Sequence, residues 1–528
     1  MMTSVLEDQR TVWVVGAISV ALFVLGNLPW QLDDYDQAKQ AFTSFEMIKE
    51  GHWLYQRTPH ERVATKPPLV GWISAGLFGL TRSWEVAWRL PSFVAAVMLA
   101  MLLFRVASSA YGSIASLVAL GAFGLNLLSP RLATLVRTDM PLAFVIFLIG
   151  LLIWQKIQSQ RAWTLRNRVY LFALLTVSML IKGPIVYAFL LPGILLFELW
   201  RRRYASCHSE VAVEAGQRPR SQMSTSAWSG WWPWVASLAV FLLWVSGGML
   251  FQPGFFNEVV IREFLGRFGE TFHRPQPLYF YLPHLLHKFA PWSILLLAVG
   301  VFDLALRRWK VRSAFREISP DTVWLLCWVL GGLIVMSLIP SKRVDRIFPV
   351  IPPLCLLLAA QFGDRAPRSD GSVSRFSTSV DSDLAGHRPV ATANAPTRIH
   401  RWVTAALLFA IFFTGGYVTW KVVIGYRDHR NALAMFGHDV RREAEAHHWR
   451  FEIVSARDEG LLLYVQKTHY IEPDHAVAEW NAGNLDALVA SIQKAPGLLP
   501  QLQGATVSEW KESEQTKGQG TGYLLIKR

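Results

Sequence analysis

Charge is scarce in this chain. Of its 528 residues only 17% are Asp, Glu, Lys or Arg, against 52% hydrophobic, a balance too apolar for an ordinary soluble enzyme. Cysteine is scarcer still. Cys207, Cys327 and Cys355 form no metal-binding or redox spacing, and two of them lie inside apolar runs, so no disulfide is expected. Gly-rich nucleotide loops and Ser/His/Asp motifs are missing, which leaves an ATP-driven pump or a hydrolase without support. No internal repeat of solenoid length is found. The first apolar run lacks a small-residue cleavage pattern and reads as a retained anchor. The formal charge of +14 would suit nucleic acid, but no basic helix or zinc spacing accompanies it, and no nucleic-acid partner is expected.

What the chain has instead is long apolar runs and 23 Trp, a residue that gathers at membrane interfaces. A helix needs about 20 apolar residues to cross the bilayer core, fewer if protein shields it. Eleven candidate spans follow. They are Val12 to Leu28, Leu90 to Ala107, Ser113 to Leu128, Pro141 to Trp154, Val169 to Ile181 and Pro184 to Trp200. Trp232 to Phe251, Leu282 to Leu306, Thr322 to Ile339, Ile347 to Gln361 and Trp402 to Ile424 complete them. The run Pro68 to Leu80 is too short and glycine-rich to span, and reads as a helix lying on the membrane.

Arginine and lysine fill alternate loops, at Lys156 to Arg168, Arg201 to Arg220, Arg307 to Arg316 and Arg365 to Arg401. By the positive-inside rule that side is cytoplasmic, as is the N-terminus. The first loop, Asp33 to Arg89, and everything after Tyr426 then face outward. The expected organisation is a membrane catalytic unit (1–362), a flexible cytoplasmic linker (363–401), a last span (402–424) and a small outer α/β domain (425–528). In that domain the pattern predicts a helix over Asn431 to His448, a strand over Phe451 to Ser455 and a helix over Asp486 to Lys494.

On this topology the unusual polar residues share one side. Asp36, Lys39 and Lys66 lie in the first outer loop, Asp139 between spans three and four, and Lys182 between five and six. His273 lies between seven and eight; Lys342 and Arg346 lie between nine and ten. Charges belong in loops, so no one of these is a signal by itself; their shared side is. Carboxylates (Asp36, Asp139) can take a proton or a divalent cation, and Lys39, Lys66, Lys182, Lys342 and Arg346 suit a phosphate. His273 is a candidate metal ligand or proton relay, set against an ordinary solvated loop histidine. Asp36, Lys66, Asp139, Lys182 and Lys342 are expected to converge on one cavity, carboxylates toward the water and lysines toward the lipid.

The stretch from Asp36 to Leu54 (DQAKQAFTSFEMIKEGHWL), then TKPPLVGWISAGLFGL and AWRLPSFVAAV, resembles the first outer loop of the C-type membrane glycosyltransferases. The nearest likeness is the bacterial branch of aminoarabinose lipid A transferases and relatives of protein O-mannosyltransferases. RTDMP, KGP, FLGRF…HRPQP and SKRVDRIFPVIPP recur in family order, so the resemblance covers about residues 12 to 362. Family register places the essential aspartate on Asp36. Gln37, Lys39, Thr65 and Arg346 stand where that family has Glu, Arg, an acidic residue and often Tyr. The resemblance implies an all-α polytopic fold with outer interfacial helices. It further implies an inverting transferase that takes a sugar from a polyprenyl-phosphate donor to a lipid, glycan or protein acceptor. The setting is the periplasmic face of a bacterial inner membrane. Whether a divalent metal ion serves as cofactor stays open. The competing reading is a transporter or flippase for a lipid-linked sugar, against which stand the absence of inverted repeats and the one-sided charges.

Overall fold

The computed structural model describes residues 9–32, 35–60, 62–214, 226–267, 275–306, 319–363, 395–456, 458–508 and 522–528. The chain is mostly helical. Each apolar run coincides with helix: α1 (Gln9–Leu25), α4 (Trp84–Tyr111), α5 (Ser113–Gly124), α7 (Asp139–Ser159), α8 (Leu165–Lys182), α9 (Ile185–Glu214) and α10 (Trp232–Phe251). Beyond these come α11 (Tyr281–Lys288), α12 (Trp292–Leu306), α13 (Pro320–Leu338), α14 (Ile351–Ala359) and α15 (Ala395–Arg427). Polar or short helices lie between: α2 (Tyr35–Glu50), α3 (Leu69–Thr81) and α6 (Ser129–Ala133).

Five of the described helices are long and apolar enough to cross a membrane: α4, α7, α10, α13 and residues 401–427 of α15. A sixth results if a bent pair counts as one span. That pair corrects the straight span expected over Leu282 to Leu306: its halves meet at 103°. Pro291 opens the second half, where a proline cannot donate to the preceding turn. The run Ile347 to Gln361 is likewise broken, into a 3₁₀ segment (Val344–Val350) and the nine-residue α14, across Pro349, Pro352 and Pro353. The region 364–394 of the expected linker lies outside the described residues, as do Asp33, Asp34 and His273.

The tightest helix contact joins α9 to α13. A Cβ on Gly331 would stand 2.4 Å from the Gly193 nitrogen, and one on Gly193 would stand 2.9 Å from the Trp328 Cα. Small residues let two backbones meet where lipid offers no hydrophobic drive. This pairing fixes how α9 and α13 lie against each other.

The C-terminal segment folds as α16 (Ala432–Ala446), β1 (Phe451–Ile453), α17 (Glu459–Val465), α18 (Pro473–Asn481), β2 (Ala487–Ser491), β3 (Thr506–Ser508) and β4 (Tyr523–Lys527). The sheet order is β1-β2-β4-β3, with β1 parallel to β2 and the other pairs antiparallel. The helix expected over Asp486 to Lys494 is therefore strand β2. All five of its residues are buried, and a strand covered on both faces shows no alternation to betray it.

This segment docks on the first loop. Ala38, Ala41, Phe42 and Phe45 of α2 share one core with Trp84 and Trp88 of α4 and with Leu461 to Val465 of α17. Phe45 packs edge-on to Trp84 with centroids 5.5 Å apart, a geometry worth about 0.5–1.5 kcal/mol beyond its buried area. The Leu32 amide donates to the Tyr464 hydroxyl at 2.7 Å. The helix that carries Asp36 is thus clamped between α4 and α17.

Candidate active site at one end of the helix bundle

Asp36 sits in the first turn of α2, where an acid favours the helix dipole. Its carboxylate pairs with the Arg343 guanidinium, and Arg137 stands 3.6 Å away. Arg137 also donates to Asp345 at 2.7 Å, and Asp345 lies 3.6 Å from Arg131. Burial by itself would raise the Asp36 carboxyl. Lys66, Arg343 and Arg137 outweigh it and hold the group below its ordinary value. Asp36 is therefore a permanent anion near neutrality.

Lys182 ends α8, and local sequence explains why it stays there. Gly183 takes φ +73°, a region side chains avoid, and its amide caps Met179 at 2.7 Å. Pro184 follows immediately, ahead of α9. Lys182 pairs with the buried Asp139 at the start of α7.

Lys66, Lys182 and Arg346 line one cavity of about 400 Å³. Its remaining wall is largely apolar: Pro67, Pro184, Ile185 and Ala188, with Val335, Met336, Leu338 and Ile339, beside Thr65 and Glu263. Burial lowers the Lys66 ammonium to about 8; Asp36 pulls it back up and Lys182 pushes it further down. Lys66 therefore carries its proton below pH 8 and sheds it above. Binding of an anion by this lysine should weaken as pH rises from about 7 to about 9, and Lys66→Arg should flatten that profile, measured as phosphate-ligand affinity. The same shift makes folding more favourable over the alkaline window, since the unfolded chain holds the proton more tightly there. A loss of affinity in that range is not a loss of fold.

Not every candidate joins this centre. Lys342 is buried, and its ammonium donates to the Gln276 carbonyl at 2.9 Å. It is not among the residues that line the cavity, and neither are Asp36 and Asp139; its neighbour Arg343 pairs with Asp36. Lys39 lies within charge reach of Glu459 in α17, whose carboxyl burial pushes up to about 7 against the pull of Lys39. Arg346 donates to the Ser341 carbonyl at 2.8 Å, which holds its head at the cavity. Sequence reasoning passed over Arg137, Arg343 and Asp345 as site residues. The signal was present: Arg137 and Arg343 each stand beside or near a chosen residue in RTDMP and SKRVD.

These acids do not fit a divalent cation. Asp36 already holds two guanidinium groups and Asp139 an ammonium, and among the described residues no three His, Cys, Asp or Glu gather at metal-binding spacing.

Residues 65–213 match the family described as dolichyl-phosphate-mannose-protein mannosyltransferase. An undecaprenyl phosphate-alpha-4-amino-4-deoxy-L-arabinose arabinosyl transferase of Photorhabdus laumondii is 23% identical over 446 residues, 76% of this chain and 71% of the relative. A second transferase of that name, from Proteus mirabilis, is 23% identical over the same shares. The crystal structure of ArnT from Cupriavidus metallidurans in the apo state aligns with a TM-score of 0.66 at 17% identity, covering 98% of each chain. The form bound to undecaprenyl phosphate gives 0.64 at 18%, covering 98% of this chain and 97% of that one. The chain is similar in sequence to these arabinosyl transferases and shares the fold of ArnT. The cationic cavity and the Asp36 network lie together at one end of the bundle, with Lys66 within charge reach of Asp36.

Proposed function

We propose that this transferase moves a sugar from a polyprenyl-phosphate donor to an acceptor hydroxyl or phosphate at the outer face of a bacterial inner membrane. The observation that carries the reading is the cavity lined by Lys66, Lys182 and Arg346 on one part and by aliphatic residues on the rest. A lipid phosphate asks for that mixture: cations for the head, hydrocarbon for the first isoprene units. The relatives named for undecaprenyl phosphate support it.

Substitution at the anomeric carbon builds positive charge on the sugar and negative charge on the departing phosphate. Lys66, Lys182 and Arg346 stabilise that phosphate in a partly dry site, where preorganised charge is usually the largest catalytic contribution. Asp36, held ionised by its arginines, accepts a hydrogen bond from the acceptor and orients it toward the carbon. Its lowered pKa suits orientation and electrostatic support of the forming cation better than strong general-base action. Asp139 acts through Lys182, fixing the ammonium at the cavity wall. Lys342 and Lys39 act from outside the cavity, on backbone and on the docked C-terminal segment.

The wider organisation follows the same reading. Eleven helical segments cross, the shorter ones shielded by neighbours, with a cytoplasmic N-terminus, a linker over 363–401 and a periplasmic α/β domain over 425–528. The loop arginines and the gathering of Asp36, Asp139, Lys182 and Arg343 at one end support it. A flippase would release its cargo unchanged. The test is sugar release from labelled polyprenyl-phosphate sugar by the full chain in detergent: appearance of free polyprenyl phosphate supports transfer, and intact donor after prolonged incubation overturns it.

A further inference from the structure

Tyr281 opens α11 and is fully buried, yet its hydroxyl has no hydrogen-bond partner among the described residues. Its surroundings make that informative. The phenol lies against the Arg343 backbone and within charge reach of Arg346 and Asp139. Arg343 pairs with Asp36, Arg346 lines the donor cavity, and Asp139 holds Lys182. One hydroxyl thus stands among all three parts of the site while bonding to none of them.

The chain around it is strapped in place. The Gln276 amide donates to the Pro340 carbonyl at 3.2 Å, and the Lys342 ammonium donates to the Gln276 carbonyl at 2.9 Å. The strap ties the approach to α11 to the turn that carries both arginines, where the Arg346 amide donates to the Arg343 carbonyl at 3.1 Å. Phe280 packs edge-on to the Tyr281 ring with centroids 5.3 Å apart, which restricts how the phenol can turn. Phenylalanine would fill the same space without burying an unmet O–H, a group that costs free energy while it stays unpaired. A hydroxyl kept only for the fold would be bonded in the empty protein. This one is not.

We propose that Tyr281 is a positioning residue for the departing phosphate, and that its hydroxyl is bonded only when the donor is in place. A guanidinium can only donate and an ionised carboxylate can only accept, whereas a phenol does both and can bridge Arg346 to Asp139. With a lipid phosphate in the cavity, the phenol oxygen accepts a hydrogen bond from Arg346 and its O–H turns to the Asp139 carboxylate. The guanidinium is then fixed with its fork toward the phosphate, the arrangement in which it binds an oxyanion best. Charge on that phosphate grows as the sugar leaves, so an oriented Arg346 counts for more in the transition state than before it. Tyr281 is not among the residues that line the cavity and acts through Arg346. The inference rests on the donor reading of that cavity.

The experiment compares the full wild-type chain in detergent with Tyr281→Phe. Binding of polyprenyl phosphate and of uncharged polyprenol is measured first. Wild type should prefer the phosphate by at least about tenfold; equal binding overturns the donor reading, and this inference with it. Tyr281→Phe should melt no lower than wild type, since the empty protein loses no bond. It should weaken polyprenyl phosphate by about threefold to tenfold, the size of one hydrogen bond, and leave polyprenol binding unchanged. For the sugar donor, kcat/KM should fall by about ten- to a hundredfold, with most of the loss in kcat. The decisive comparison uses Arg346→Lys, which keeps the charge and removes the fork. In that background Tyr281→Phe should cost nothing more. Wild-type preference for the phosphate with affinity and kcat unchanged in Tyr281→Phe overturns this inference and leaves the donor reading standing. A lower melting temperature makes the hydroxyl a bond of the fold and overturns it as well. Independent losses in the double variant overturn the role through Arg346.

Discussion

Asp36→Asn should lower sugar transfer by about 10²–10⁴-fold while leaving donor affinity within a few-fold of wild type. The amide keeps the shape of the carboxylate and removes its charge, so it tests the charge alone. Donor affinity falls no further than that because Lys66, Lys182 and Arg346 line the donor cavity and Asp36 does not, its loss acting only through the Lys66 proton that it helps to hold. The fold survives because Arg137 keeps Asp345 at 2.7 Å and α2 stays clamped by Phe42, Phe45 and the C-terminal helix α17. Turnover at matched expression, with donor binding measured in parallel, decides the matter. Near-normal turnover would falsify the assignment of Asp36.

The second large effect belongs to the pair at the cavity wall. Lys182→Met should raise the donor KM and lower kcat, together by about 10²–10³-fold in kcat/KM, since it deletes one of the cations facing the departing phosphate. Asp139→Asn should also reduce activity, but through Lys182, by leaving the ammonium untethered. Breaking one member of a buried pair is itself destabilising, by about 3–5 kcal/mol, so thermal stability is followed for each variant. The double variant separates the roles. If Asp139 only positions Lys182, then Lys182→Met with Asp139→Asn loses no more activity than Lys182→Met alone and regains some stability. Additive losses in kcat/KM would give Asp139 a role of its own.

Much of the site was legible along the chain. Asp36, Lys66, Lys182 and Arg346 each stand in a short polar stretch between apolar runs, and in a membrane protein a charge at such a depth is costly enough to be informative. The glycine and proline after Lys182 mark a helix end as clearly in sequence as in the structure. What stayed hidden were partners distant in sequence. Asp36 meets Arg343 across 307 positions and Arg137 meets Asp345 across 208, separations that no local pattern encodes. The misread strand β2 failed for a different reason: five consecutive buried residues carry no periodicity of either kind.

The sequence by itself determined the solvent in which this protein folds, the positions of its apolar segments and the chemical types it holds at their ends. Those follow from local transfer energies, which each residue carries wherever the chain goes. The tertiary structure alone decided which charges face which. It turned Lys342 to the Gln276 carbonyl and brought Arg346 to the largely apolar cavity instead. It also gathered Arg89, Arg131, Lys421 and Arg430 around a second one. Electrostatic interaction falls with distance and strengthens with burial, and both are properties of the packed helices rather than of any stretch of chain.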